Sequence, residues 1–175
     1  MNNKMKKLLL ILLSVPFLFS CGEKKETNNE EFTKNLEHFK NLVNDINTYF
    51  IDSSLENLET SNYYTEDFIF YSYPAGKKKG AETSKIDYIN NLEQMKKMNM
   101  SINIGHSIYL PGINEVTFEV DGSVRVYYGS TISIDTNNVD FSGYQTINFE
   151  EGKISGIWAW ADYGGVSNQL FQFVK

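Results

Sequence analysis

Residues 140–163, DFSGYQTINFEEGKISGIWAWADY, decide the fold. Two β-rich runs, Asp140 to Phe149 and Lys153 to Tyr163, flank Glu150-Glu151-Gly152, the acidic, glycine-ended link of a hairpin. Gly164-Gly165 breaks the second run, and Val166 to Val174 is expected to pack as a terminal turn or short helix. Toward the N-terminus the strands continue. Val124 to Ile134 precedes a turn at Asp135 to Asn138. Ser101 to Leu110 alternates so cleanly that Ile102, Ile104, His106, Ile108 and Leu110 are predicted to share one face.

Helices occupy the first half of the chain. Phe32, Leu36, Phe39, Leu42, Val43, Ile46, Tyr49 and Phe50 recur at helical spacing, which predicts a long amphipathic helix ending near Asp52. Ser53 with Glu56 forms a capping box, so a short helix carrying Leu55 and Leu58 is expected next. Phe68 to Tyr73 reads as a strand stopped by Pro74-Ala75-Gly76, and Lys77-Lys78-Lys79-Gly80 as a solvated loop. A third helix is predicted from about Thr83 to Met98, with Ile86, Ile89, Leu92 and Met95 inward. Helix, helix, strand, helix and then hairpins is an α+β arrangement with helices covering one face of a mostly antiparallel sheet.

In that order and spacing the chain resembles the NTF2-like superfamily, which includes SnoaL-like and ketosteroid-isomerase-like proteins. The resemblance runs from about Phe32 to Leu170. It is carried by Tyr64-Thr65-Glu66-Asp67-Phe68, by Gly80-Ala81-Glu82 before the third helix, by Phe149-Glu150-Glu151-Gly152-Lys153-Ile154, and by Asp162 and Gln169-Leu170. It implies a cone: a strongly curved sheet around a long N-terminal helix plus two shorter helices, with a pocket at the open end. Isomerases of this superfamily use a carboxylate base near the end of the first strand and a second acid on a later one. The matching positions here hold Tyr73 and Gln145. Tyrosine is a poor base at neutral pH, and glutamine exchanges no proton, though it can donate a hydrogen bond to an oxyanion. The isomerase mechanism is therefore not inherited.

Polar residues on apolar strand faces are the informative exceptions. His106 and Gln145 are such residues, so both are expected to look into the cone and line a ligand pocket, with Tyr73 and Asp162 as further candidates. Asp162 shares a strand face with Trp158 and Trp160, which forms either an inner wall or an outer association surface. Asp67 is read as a structural acid at a strand entrance. No catalytic residue is assigned. No metal or cofactor is expected, because there is no paired-cysteine or His-x-x-x-His spacing, no phosphate loop and no serine elbow.

The other end of the chain gives the address. Asn2 to Lys7 holds three lysines and no acid, Leu8 to Phe19 is apolar apart from Ser14 and Pro16, and Leu18-Phe19-Ser20-Cys21 ends in the only cysteine. This is the order of an export signal, with an apolar run too short to span a bilayer. The site resembles the lipobox of bacterial lipoproteins, which implies cleavage after Ser20 and acylation of Cys21. Residues 1–20 are then a signal peptide, 21–29 a lipidated cysteine and flexible tether, and 30–175 one domain. Gly22 rather than aspartate after the cysteine favours the outer membrane over the inner.

Losing residues 1–20 removes three lysines, so the formal charge moves from −6 to −9. An acid body of this kind repels nucleic acid and anionic lipid. The acyl anchor is the sole membrane contact expected, and a homodimer through the outer sheet face is the expected assembly. The function expected is non-catalytic binding of a small, partly apolar ligand or a partner protein at the cell envelope. The alternative is a SnoaL-like enzyme acting on a small hydrophobic substrate, with His106 and either Tyr73 or Asp162 as acid and base.

Overall fold

A computed structural model describes residues 24–173. The expected signal peptide, residues 1–20, and the expected lipidation site, Cys21, lie outside the described residues. The elements are α1 (Lys24–Ile51), a 3-10 turn (Ser61–Tyr63), β1 (Tyr64–Ser72), β2 (Ala81–Ser84), α2 (Lys85–Lys97), β3 (Met100–Ile113), β4 (Val120–Ile134), β5 (Asn137–Glu150), β6 (Lys153–Ala161) and α3 (Tyr163–Phe171). They form the expected α+β cone. One six-stranded sheet has the order β2-β1-β6-β5-β4-β3, with β1 and β6 parallel and every other pair antiparallel.

The apolar stripe of α1 lies along the concave face of the sheet. Phe39, Leu42, Ile46 and Tyr49, spaced by three and four, are buried against Val124, Val126, Ile147, Ile154 and Ile157. Two asparagines twelve residues apart tie the helix to the sheet. Asn35 Nδ2 donates to Gly122 O (2.9 Å). Asn47 Nδ2 donates to Ile104 O and its Oδ1 accepts from Ile104 N, both at 2.9 Å. The helix begins at Lys24, so most of the segment read as a tether is helical.

The capping box at Ser53 and Glu56 opens no helix. Asp52 Oδ1 accepts from Ser54 N (2.8 Å) and Ser54 Oγ (2.6 Å), which closes a local turn. Lys96 of α2 brings its ammonium to the carbonyls of Asp52 (2.7 Å) and Leu55 (2.8 Å), and to that of Tyr49. Leu58 N donates to Glu93 Oε1 (3.1 Å). Backbone groups that a helix would pair internally are thus taken by side chains of α2. In α2 itself, Ile89 and Leu92 pack on the core as expected, but Ile86 is 69% exposed. Lys85 takes the inward place, with Nζ 3.0 Å from Glu66 Oε1.

The largest departure lies in β3. Ile104 pairs with Ser130 and Ser107 pairs with Tyr128, so Gly105 and His106 together stand opposite Gly129. This bulge inserts one residue, and a one-residue insertion exchanges the two faces of the strand beyond it. Ile102 packs on the core, and after the bulge Tyr109 does so. His106 is exposed, and Ile108 and Leu110 are 52% and 44% exposed. The single shared face predicted for Ile102 to Leu110 is therefore corrected.

Candidate functional site

Two surfaces could carry function: the interior of the cone and the convex face of the sheet. In the interior, Tyr128 of β4 and Gln145 of β5 point inward and meet Phe39 and Val43 of α1 and Ser107 and Tyr109 of β3 around a gap of about 20 Å³. That holds one water at most. Gln145 Nε2 lies 3.5 Å from the Tyr128 hydroxyl. Tyr128 lies across Gly143, where an added Cβ would come within 2.5 Å of its hydroxyl. Deeper in, Tyr64 and Phe68 are fully buried, with ring centroids 4.4 Å apart, and Tyr88 stacks on Phe70 at 4.8 Å. Aromatic rings fill the space where a pocket was expected.

These tyrosines are neutral, and the buried Tyr64 hydroxyl has no hydrogen-bond partner among the described residues. Burial is the main cause that raises the pKa of Tyr64, Tyr88, Tyr128 and Tyr163, and the proximity of Tyr128 raises Tyr88 and Tyr163 further. Tyr63 donates to Asp45 Oδ2 (2.6 Å), and burial together with that bond pushes its pKa up to about 12. No carboxylate or imidazole lines the central gap. Among the described residues no group of three His, Cys, Asp or Glu side chains is placed to hold a metal.

The raised values have a sign. Above the ordinary tyrosine value of 10.0 the unfolded chain loses these protons while the fold keeps them. The stability they contribute is therefore complete below pH 10 and is lost as the pH climbs toward the folded-state values. The urea midpoint is expected to fall steadily above pH 10. Absorbance at 295 nm should show part of the eleven tyrosines titrating only as the domain unfolds. Full reversible titration near pH 10 with no loss of stability would contradict this packing.

The four sequence candidates do not converge. Gln145 faces the interior as expected. Tyr73 lies on the other side, its ring stacked on Trp160 at 4.6 Å with planes 6° apart. His106 sits at the bulge in an open outer hollow of about 380 Å³ with Asn103, Thr131, Asp140 and Ser142. Asp162 is beyond β6 and caps α3, with Oδ1 accepting from Gly165 N (2.8 Å). Sequence reasoning placed His106 inside because the bulge is invisible in the alternation. It missed the tyrosine filling because Tyr64, Tyr88, Tyr128 and Tyr163 come from four separate elements.

The convex face is the more distinctive surface. Register sets Ile108, Tyr127, Tyr144 and Trp160 in one row across four strands, and Leu110, Arg125, Thr146, Trp158 and Tyr71 in the next. Tyr71 stacks on Trp158 at 5.1 Å, and Tyr144 lies 5.7 Å from Trp160 and 4.8 Å from Tyr127. Tyr127 is 53% and Trp160 40% exposed. Arg125, the only arginine of the chain, has its Nη1 buried with no hydrogen-bond partner among the described residues. The Trp158–Trp160 stripe is therefore an outer surface, and Asp162 stands apart from it.

No protein-family model matches the chain, and no curated protein does. Its structure is similar to several solved ones. A phenazine biosynthesis-related protein from Pseudomonas aeruginosa superposes with a TM-score of 0.57 at 13% identity, over 83% of this chain and 88% of that one. A SnoaL-like polyketide cyclase assignment from Jannaschia sp. CCS1 gives 0.54 at 12% identity, over 78% and 90%. An LEH-like epoxide hydrolase from M. tuberculosis gives 0.52 at 13% identity, over 81% and 96%. Likeness at this level of identity is likeness of fold.

Proposed function

We propose that this chain, an NTF2-like cone with a filled interior, is a lipid-anchored protein of the bacterial envelope that works by binding rather than by catalysis. Cys21 is the lipidated residue, the outer membrane is the bilayer, and the convex sheet face is the binding surface. One observation carries the reading: among the described residues the gap between Tyr128, Gln145 and α1 is about 20 Å³, while the outer face exposes Tyr127, Trp160, Ile108 and Leu110 in one continuous area. Exposed aromatic patches of this kind mark association surfaces, and a second copy is the first partner expected. A small apolar ligand in that gap would need Tyr128 to move.

The cyclase and the hydrolase among the structural neighbours favour a second reading, an enzyme of SnoaL-like type. Such chemistry needs a group that exchanges protons near neutral pH inside the cone. Gln145 and the buried tyrosines do not supply one, and His106 and Asp162 lie elsewhere. The binding reading is the better supported.

Metabolic labelling with radioactive palmitate tests the anchor. The chain is expected to carry label and to sediment with membranes, and Cys21→Ser is expected to abolish both. Unlabelled wild-type chain in the soluble fraction would refute the anchor.

A further inference from the structure

The β3–β4 hairpin ends in an apolar finger. Ile113, Val116 and Phe118 are 53%, 84% and 79% exposed. The turn is nevertheless tightly built. Asn114 Oδ1 accepts from Val116 N (2.9 Å) and Thr117 N (3.0 Å). Phe118 N donates to Asn114 O, and Asn114 N to Glu119 O, both at 2.9 Å. Phe118 holds a φ of 58°, in the left-handed region that disfavours a bulky side chain. An ordered turn that holds valine and phenylalanine in water finds no reason within the chain itself.

Its position suggests one. Asn35 meets Gly122, and Asn47, twelve residues on, meets Ile104, which pairs with Ser130. Helix α1 and strand β4 therefore run in the same direction, so the start of α1 and the finger lie at one end of the molecule. A Cβ on Gly122 would touch the Glu31 carboxylate at 3.0–3.1 Å, which places the first turns of α1 beside the base of the finger. From Glu31 back to Lys24 the helix extends roughly 10 Å. From Asp121 the finger extends a similar distance, roughly 10 Å at strand rise. Cys21 precedes Lys24 by three residues, a reach of at most about 10 Å. The helix that leads to the anchor and the finger thus project from the same end to about the same height.

We infer that residues 113–118 are a second membrane contact, with Val116 and Phe118 entering the bilayer interface beside the acyl anchor. The inference rests on the lipidation of Cys21 proposed above. Glu115 and Glu119 flank the two apolar residues and would stay at headgroup level, where an anionic surface repels them, so the surface that fits is zwitterionic lipid. Two attachment points constrain orientation where one acyl anchor alone leaves the domain free to tumble. With the finger down, the strands stand along the membrane normal. The aromatic convex face is then upright, open to a second copy anchored in the same bilayer.

The test uses the full lipidated chain in phosphatidylcholine vesicles that carry a spin-labelled lipid. An environment-sensitive fluorophore is attached at Phe118→Cys, at Val116→Cys, or at Asn138→Cys near the β4–β5 turn at the opposite end. The finger labels are expected to shift to the blue and to be quenched about twofold or more, as for groups about 5–10 Å into the interface. The Asn138→Cys label should stay as in water. Water-like emission at all three sites on chains that still float with the vesicles overturns the finger contact and leaves the anchor standing. A wild-type chain that does not float removes the anchor, and the inference falls with it.

Discussion

Replacing Trp160 by aspartate is expected to leave the domain folded and to abolish the homodimer proposed through the outer sheet face. The indole lies between the rings of Tyr73 and Tyr144 at the β6 end of the outer row, and 40% of the residue reaches solvent. A tryptophan stacked within an aromatic patch is the residue type that dominates association energies, with losses of about 2–4 kcal/mol on truncation. A carboxylate facing its own symmetry mate adds repulsion in a desolvated seam. The dimer dissociation constant should therefore rise roughly 100-fold or more. Sedimentation velocity over a concentration series measures it, with circular dichroism as the check on folding. A wild-type chain that stays monomeric throughout would refute the homodimer and assign the face to another partner.

The second large effect concerns the filled cone. Tyr128→Ala removes the ring that lies across Gly143 and bounds the central gap, and it leaves Gln145 without its nearest polar neighbour. Truncating a packed aromatic costs about 3 kcal/mol or more, since both transfer energy and a cavity are lost. A fall in Tm of roughly 10 °C follows for a domain of this size. The new space is mostly apolar, so benzene or phenol should bind it and restore part of the lost Tm. Wild-type protein should show no such shift. If the wild type responds equally, the cone already admits ligands and the small-ligand reading displaces the outer-face one. Unchanged stability in Tyr128→Ala would show that the ring is not packed as described.

The long helix was legible because its stripe obeys a local period: Phe39, Leu42, Ile46 and Tyr49 are buried as their spacing requires. The hairpin at Glu150-Glu151-Gly152 was legible for a similar reason, and Glu151 and Gly152 do adopt positive φ values of 50° and 75°. Strand β2 was not foreseen. Its four residues, Ala81 to Ser84, carry no alternation and become a strand only by pairing with Ile69 to Ser72. The short helix at Ser53 failed because a capping box is a local signal, and Lys96 and Glu93, distant in sequence, claimed the backbone groups it needed.

The candidate site shows the same division. Gln145 was placed correctly because β5 keeps its alternation against β4 from Val139 to Ile147. His106 was placed on the wrong face by one inserted residue, and Asp162 was counted on a strand that ends at Ala161. By itself the sequence determined the α+β class, the order of the main elements, the inward stripe of α1 and the inward position of Gln145. All of these follow from interactions within a few turns or one hairpin. Only the tertiary structure decided that tyrosines from four elements fill the cone, that Trp158 and Trp160 face outward, and that an apolar finger shares an end with the start of α1. Those outcomes depend on strand register and on contacts between distant segments, which local periodicity does not encode.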